Sequence, residues 1–148
     1  MQKLSLLPPP VVALLLIGAA LGLNRAYPHL ELVPATGGGL AWLASGLALS
    51  ASSAWQFWKL KTTFMPTGTP SQLVTLGAYL WTRNPMYLGL FTALLGLAFY
   101  MGTLPFWLVP PAFFLIINRL HIPYEESRMT EIFGGEYTRY QQRVGRWL

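Results

Sequence analysis

The feature that most constrains this chain is the run Asn84–Asn118, in which no residue carries a charge. A membrane-spanning helix needs about 20 mostly apolar residues, so the run is too long for one helix. The segment Gly102-Thr103-Leu104-Pro105 interrupts it as a turn would. The sequence therefore predicts a helical hairpin in a membrane, with helices over Met86–Met101 and Leu104–Asn118.

Two further apolar runs, Leu4–Leu23 and Leu40–Trp58, precede the hairpin and approach spanning length. Charged residues make up only 10% of the chain, against about 25% in ordinary soluble domains. We therefore expect one all-α integral membrane domain with about four transmembrane helices and a C-terminal cytoplasmic or interfacial helical segment. Its parts are two N-terminal spanning helices (1–58), a cytoplasmic loop (59–85), the hairpin (86–120) and cytoplasmic tail helices (121–148).

The basic residues predict the orientation of these helices. With four spans, nine of the ten Lys and Arg residues fall on one side, and Arg25 alone falls on the other. This positive-inside bias predicts a multi-pass protein of the inner membrane with both termini in the cytoplasm. The net charge of +5 could also suggest nucleic acid. However, the basic residues lie beside apolar runs and in the tail, where they set topology or meet lipid phosphates, so we expect no nucleic-acid partner.

The absence of cysteine excludes disulfides, thiolate metal sites and cysteine nucleophiles, and we expect no metal site.

The polar loop Lys59–Arg83 is long for a connection in a compact domain, which usually indicates function. In the tail, Pro123 is placed to open a helix that Gly134-Gly135 ends. Of the two histidines, His29 is expected in solvent. His121 is expected to be an interfacial polar group, with contact to a bound molecule as the alternative.

Two polar clusters could carry chemistry. Arg83 and Asn84 lie at the mouth of an apolar helix, where they and the Tyr87 hydroxyl would suit an anionic group or simply cap the helix. Glu125-Glu126 follow the last spanning helix, where they could act chemically or complement the helix dipole. Because one helical hairpin separates the two clusters, four-helix geometry predicts that they face each other on the cytoplasmic side.

These residues, in order along the chain, resemble one family: the isoprenylcysteine carboxyl methyltransferase and phospholipid methyltransferase family. The resemblance covers Leu73 to Leu148. It rests on Gly77-Ala78-Tyr79, Arg83-Asn84-Pro85-Met86-Tyr87-Leu88-Gly89, Glu125-Glu126, Phe133-Gly134-x-Glu136-Tyr137, Tyr140 and Val144-Gly145-Arg146-Trp147. It implies a membrane enzyme that transfers a methyl group from S-adenosylmethionine to a lipid or lipid-like substrate entering from the bilayer.

The resemblance also implies which residues form the site. By this resemblance, the cofactor-binding residues would lie in the motif segment and the glutamate pair: Arg83, Asn84, Pro85, Tyr87, Gly89, Glu125 and Glu126. The chemistry of methyl transfer adds Tyr124 and Tyr137 to this set and suggests Arg83, Glu126 and Arg143 as the catalytic residues. A glutamate of the pair can bind the cofactor's ammonium group, and the aromatic faces of Tyr124 and Tyr137 can favour its sulfonium cation. If the acceptor is a carboxylate, Arg143 would hold it; if it is an amine, the glutamate pair could accept its proton.

Three departures from the family pattern matter. Many members have histidine where this chain has Asn84, and two prolines of the family pattern are replaced at Ala78 and Gly145.

Two alternatives to a methyltransferase remain. One is a sterol-reductase-like membrane enzyme that uses a nicotinamide cofactor, and the other is a non-catalytic membrane protein of the same fold.

Small residues, including Gly89, Ala93 and Gly96, share one face of the third helix, where they would let a neighbouring helix approach closely.

Overall fold

The computed structural model describes residues 7–27, 30–61 and 70–148. Within these ranges the chain is helical, with no strand beyond a single bridge between Glu31 and Thr103. The elements are α1 (Pro9–Ala26), α2 (Gly38–Lys59), a 3-10 turn (Gly77–Leu80), α3 (Pro85–Met101), α4 (Leu104–Ile116), a π-helical turn (Ile117–His121), α5 (Ile122–Phe133) and α6 (Gly135–Arg143). The all-helical prediction is confirmed for these ranges. His29 and residues 62–69 of the polar loop lie outside them.

The predicted hairpin turn is present between α3 and α4. Gly102 ends α3 in the left-handed conformation, with φ of 70°, which a residue with a Cβ rarely adopts. Its carbonyl accepts backbone N–H bonds from Leu32 and Val33, while the N–H of Leu104 donates to Leu30. The turn is thereby tied to the connection between α1 and α2.

The segment after α4 differs from the expectation of a separate tail helix. Pro123 does lie in the first turn of α5, but the π-helical turn joins α5 to α4 without a break. The result is one helix over Leu104–Phe133, 30 residues long. Because proline has no N–H to donate, it disrupts the regular ladder, and the wider π turn preceding it accommodates this disruption. At 1.5 Å per residue the helix is about 45 Å long, so its charged end extends beyond a hydrocarbon core of about 30 Å.

The four long helices pack side by side in the order α2, α3, α4, α1, each antiparallel to its neighbour. The α2–α3 contact is the closest, because glycines face backbone across it. A Cβ added at Gly89 would lie 2.6 Å from the carbonyl oxygen of Gly46, and one added at Gly96 would lie 2.6 Å from that of Gly39. The small-residue face predicted for the third helix is thus the packing face against α2.

Only part of the four-span prediction is supported. Among the residues that the structure describes, two helices, Pro9–Ala26 and Leu104–Phe133, are long and apolar enough to cross a membrane, and Pro85–Met101 is a shorter apolar helix. Helix α2 carries serines and glycines along its length, which lower its hydropathy while permitting the close contact with α3. Large apolar side chains such as Leu14 (67% exposed) and Leu15 (60% exposed) point outward from α1, as expected where lipid covers a helix.

Candidate active site

The antiparallel order brings four chain segments to one end of the helices: the starts of α1 and α3, the end of α2, and the end of α4 with α5. His121, in the π turn, contacts the carbonyl of Leu7 through Nε2 at 2.9 Å, joining the α4–α5 junction to the start of α1. The predicted polar clusters therefore lie at the same end of the protein.

Arg83 lies at the centre of the polar contacts at this end of the helices. Its side chain is 12% exposed, and its Nη2 donates to Glu126 Oε1 at 2.7 Å. Its Nη1 donates to the carbonyls of Val144 at 2.6 Å and Gln141 at 3.1 Å. Its Nε is buried without a partner among the described residues. A buried donor without a partner is costly, so a bound acceptor at this position would stabilise the site.

Glu126 is held between two guanidinium groups. Besides Arg83, it contacts Arg146, whose Nη2 donates to Oε2 at 2.5 Å and whose Nε lies 3.3 Å from Oε1. A two-point contact of this kind fixes the orientation of a carboxylate as well as its charge. Removing either arginine would leave the largely buried carboxylate poorly compensated.

Glu125 has a different partner. Its Oε1 accepts a hydrogen bond of 2.5 Å from the Tyr87 hydroxyl, which lies on the first turn of α3. Consecutive glutamates of α5 therefore contact two residues of the Arg83–Tyr87 segment, Glu126 through Arg83 and Glu125 through Tyr87. The two residues of each pair are far apart in the sequence, and the α3–α4 hairpin brings them together in space.

The segment that follows α6, Val144–Trp147, lies across the entry to α3, and we name it the C-terminal strap. The N–H of Arg83 donates to the carbonyl of Gly145 at 2.9 Å. The Nδ2 of Asn84 donates to the carbonyl of Arg146, also at 2.9 Å. At the other end of the strap, Trp147 Nε1 donates to Asn118 Oδ1 at 3.1 Å. The strap is therefore fixed both to the start of α3 and to the π-helical turn that follows α4.

A cleft with a volume of about 80 Å³ opens beside these contacts. Its lining combines aromatic and apolar side chains with a few polar groups. The lining residues are Phe57, Leu73, Val74, Tyr79, Arg83, Asn84, Met86, Tyr87, Met129, Tyr137 and Tyr140. Glu125, Glu126 and Arg146 are not among them. The two glutamates lie behind the cleft wall and contact Tyr87 and Arg83, which face into it.

Three tyrosines that line the cleft, Tyr79, Tyr137 and Tyr140, stay protonated because they are buried. Burial raises the pKa of Tyr140 to about 12, and burial likewise raises the pKa of Tyr79 and of Tyr137 above their usual value. The protonated Tyr140 hydroxyl donates to the carbonyl of Tyr79 at 2.7 Å, which fixes α6 against the 3-10 turn. The aromatic lining is thus held in place by α6.

The structure brings together most of the residues predicted from the sequence. Arg83, Asn84, Tyr87 and Tyr137 line the cleft, and the two glutamates contact the first and third of these. Pro85 is buried as the first residue of α3, directly after Asn84. Tyr124 is partly exposed on α5 and is not among the cleft-lining residues.

Two predicted residues lie elsewhere. Gly89 is in the α2–α3 contact, because a Cβ there would meet the backbone of Gly46 and Ser50. Arg143 is exposed on the outer face of α6, where its Nε contacts the carbonyl of Arg139 at 3.3 Å. Helix α6 ends at Arg143 and the chain then becomes extended, so Arg146 rather than Arg143 turns towards Glu126.

The sequence interpretation did not assign a role to Arg146, Tyr79 or Tyr140. All three were in the segments that carry the family resemblance, and that was the available signal. Phe57 and Met129, which also line the cleft, carry no motif that distinguishes them from ordinary apolar residues.

Fold and site together define a class: a helical protein with membrane-type helices and an ion-paired, aromatic-lined cleft at one end of them. Residues 35–136 match the sequence model of the phospholipid methyltransferase family, and the chain belongs to that family. Membership implies methyltransferase activity in general, in a membrane setting. The match begins before α2 and ends in the first turn of α6, so it includes both polar clusters but not the strap.

The chain is also similar to a protein of Haemophilus influenzae (strain ATCC 51907 / DSM 11121 / KW20 / Rd) that is described only as uncharacterized. The two are 43% identical over 63 residues, which is 43% of this chain and all of that protein. No solved structure matches the chain.

Proposed function

We propose that this protein is an integral membrane methyltransferase that uses S-adenosylmethionine to methylate a lipophilic acceptor at the cytoplasmic end of its helices. Family membership supports the reaction class. The observation that carries the location is the pair of contacts Arg83–Glu126 and Tyr87–Glu125, which join two distant polar segments beside one cleft.

The chemistry of the cleft is suited to this cofactor. Small-molecule sites are mostly apolar with a few placed polar groups. The cleft has this character, because tyrosines and apolar side chains surround Arg83 and Asn84. The unpartnered Nε of Arg83 is a donor suited to a carboxylate, and the aromatic faces suit a sulfonium cation.

The proposed roles follow from these positions. Arg83, Asn84 and Tyr87 bind the cofactor's carboxylate end, and the Glu125-Glu126 pair compensates its ammonium group. Tyr137, with Tyr124 further out, provides aromatic faces. The bound cofactor supplies a methyl group already activated on sulfur, so the protein contributes alignment and exclusion of water rather than a nucleophile of its own.

The acceptor is proposed to be a lipid-like molecule with a carboxylate or an amine. The apolar part of the cleft lining, which includes Leu73, Val74 and Met129, suits the hydrocarbon next to the reacting group. For an amine acceptor, Glu125 is the proposed proton acceptor, through the Tyr87 hydroxyl that faces the cleft. Labelled cofactor and a lipid extract, followed by mass spectrometry of the products, would identify the acceptor.

We further propose a multi-pass topology in the inner membrane with both termini cytoplasmic. The positive-inside bias is the support. Lys59, Arg83 and Arg119 lie at the site end of the helices, whereas Arg25 lies at the end of α1, at the opposite end.

The binding proposal is tested by calorimetry on purified protein in detergent, with S-adenosylmethionine and with its demethylated product, S-adenosylhomocysteine. Binding of both ligands is expected. Glu126→Ala should weaken binding about 10- to 100-fold, because a charge-assisted contact contributes about 1.5–3 kcal/mol.

Glu131→Ala is the matched control, because Glu131 is exposed on the same helix, α5. It should leave the affinity nearly unchanged. If the wild-type protein takes up neither ligand, the proposal is wrong; equal losses in the two variants would mean that Glu126 acts only on stability.

A further inference from the structure

The C-terminal strap lies beyond the residues matched to the family, yet it is attached to the site through consecutive residues. Val144, Gly145 and Arg146 offer three successive carbonyls, and each accepts a hydrogen bond from Arg83 or Asn84. Thr82 Oγ1 adds a second donor to the carbonyl of Arg146 at 3.1 Å. A segment held at three successive carbonyls is not a loose tail.

Trp147 fixes the strap on its other side. In addition to its bond to Asn118, its ring lies 5.0 Å from that of Phe114 on α4. The backbone of Arg146 is therefore held between α3 and α4 before its side chain makes any contact. From this backbone position the guanidinium contacts Glu126.

The three charged side chains form a line from the cleft to the surface. Arg83 lines the cleft with 12% of its side chain exposed, Glu126 follows with 14%, and Arg146 is outermost with 36%. Arg146 does not line the cleft. Two nitrogens of Arg146, Nε and Nη2, donate to Glu126, whereas Arg83 donates to Glu126 through Nη2 alone.

We propose that Arg146 is a positioning residue of the site: it fixes the Glu126 carboxylate at two points, and Glu126 in turn holds Arg83 over the cleft. This inference rests on the proposed function, because it assigns Arg146 an effect on cofactor binding without direct contact. Arginine is required for the role, since its planar fork matches both carboxylate oxygens and the single ammonium of lysine does not.

The first test compares S-adenosylhomocysteine binding by wild-type protein, Arg146→Gln, Arg146→Lys and the control Arg139→Gln, which changes an exposed arginine of α6. Arg146→Gln should weaken binding about tenfold, within the usual range of coupled contacts. Arg146→Lys should recover part of the loss because it keeps the charge. Arg139→Gln should bind as the wild type does.

The second test is a double-mutant cycle that separates action through Glu126 from direct contact with the ligand. In a Glu126→Gln background the ion pair is already lost, so adding Arg146→Gln should change the affinity less than about twofold. Melting of each variant without ligand, measured in parallel, shows whether a binding loss merely follows unfolding. If Arg146→Gln melts at a lower temperature than the wild type, the same cycle is measured with Arg146→Lys in place of Arg146→Gln.

The outcomes are distinguishable. Wild-type protein that fails to bind S-adenosylhomocysteine overturns the proposed function. Wild-type binding together with full affinity in Arg146→Gln overturns the role of Arg146. An equal loss from Arg146→Gln in both backgrounds overturns the positioning mechanism, because Arg146 would then act independently of Glu126. A loss confined to the background that retains Glu126 is the result we expect.

Discussion

Replacing Gly89 with alanine tests whether this residue packs helices or binds the cofactor. A Cβ at Gly89 would lie 2.6 Å from the carbonyl oxygen of Gly46 and 2.6 Å from the N–H nitrogen of Ser50. Both are backbone atoms of α2, so neither can rotate away. Reaching ordinary contact near 3.4 Å requires the two helices to separate by roughly 0.8 Å.

A gap of that size forfeits about a quarter to a half of each dispersion contact it opens. Overpacking of this kind costs about 1–3 kcal/mol. The higher helix propensity of alanine offsets little of this cost, because helices in membranes persist largely in the unfolded reference state. We therefore expect Gly89→Ala to lose about 2 kcal/mol of unfolding free energy.

The assay is reversible unfolding in detergent, followed by circular dichroism, with Gly22→Ala as the control. No atom of the described residues lies within 4 Å of a Cβ added at Gly22, so that variant should unfold like the wild type. Affinity for S-adenosylhomocysteine, measured where both variants are folded, should fall only slightly. Unchanged stability of Gly89→Ala with a large loss of affinity would refute the packing account and return Gly89 to the cofactor site.

Two further substitutions test the tyrosines of the cleft. Tyr87→Phe removes the hydrogen bond to Glu125, so S-adenosylhomocysteine affinity measured by calorimetry should fall about tenfold; unchanged affinity would show that this hydroxyl does not organise the site. Tyr140→Phe removes the hydrogen bond to the carbonyl of Tyr79 and should lower the unfolding free energy in detergent by about 1 kcal/mol. The control Tyr100→Phe changes an exposed tyrosine of α3 and should have no measurable effect in the same assay.

The juxtaposition of the two polar clusters could be anticipated from the sequence, because only a hairpin separates them. Antiparallel helices return the chain to its starting end, so residues just before the first helix meet residues just after the second. The hairpin turn itself was readable because Gly102 permits a left-handed conformation and Pro105 suits the start of the next helix. These local signals predict that the two clusters are close, but not that Arg83 and Glu126 contact each other directly.

The sequence alone could not show whether Arg143 or Arg146 lies at the site. It depends on where α6 ends, and helix ends are poorly determined by local pattern. Once α6 stops at Arg143, the extended conformation of Val144 directs the following residues towards α3. The π turn at Ile117–His121 was likewise unreadable, because its composition differs little from that of an ordinary apolar helix end.

Gly89 shows a different difficulty, because its sequence neighbourhood supported two roles. The Arg83–Gly89 motif suggested the cofactor, whereas the spacing of Gly89, Ala93 and Gly96 suggested helix contact. Only the position of α2 decides between them, and nothing in the sequence of α3 reports which helix lies against that face.

The central claim is that one cofactor molecule binds between the segment before α3 and the start of α5. A structure of the protein with S-adenosylhomocysteine bound tests it most directly. The account predicts that the ligand occupies the cleft beside Tyr137, with its amino-acid end within hydrogen-bonding distance of Arg83 or Tyr87, the cleft-lining residues that contact the Glu125-Glu126 pair. A ligand bound at the opposite end of the helices, near Arg25, would contradict it.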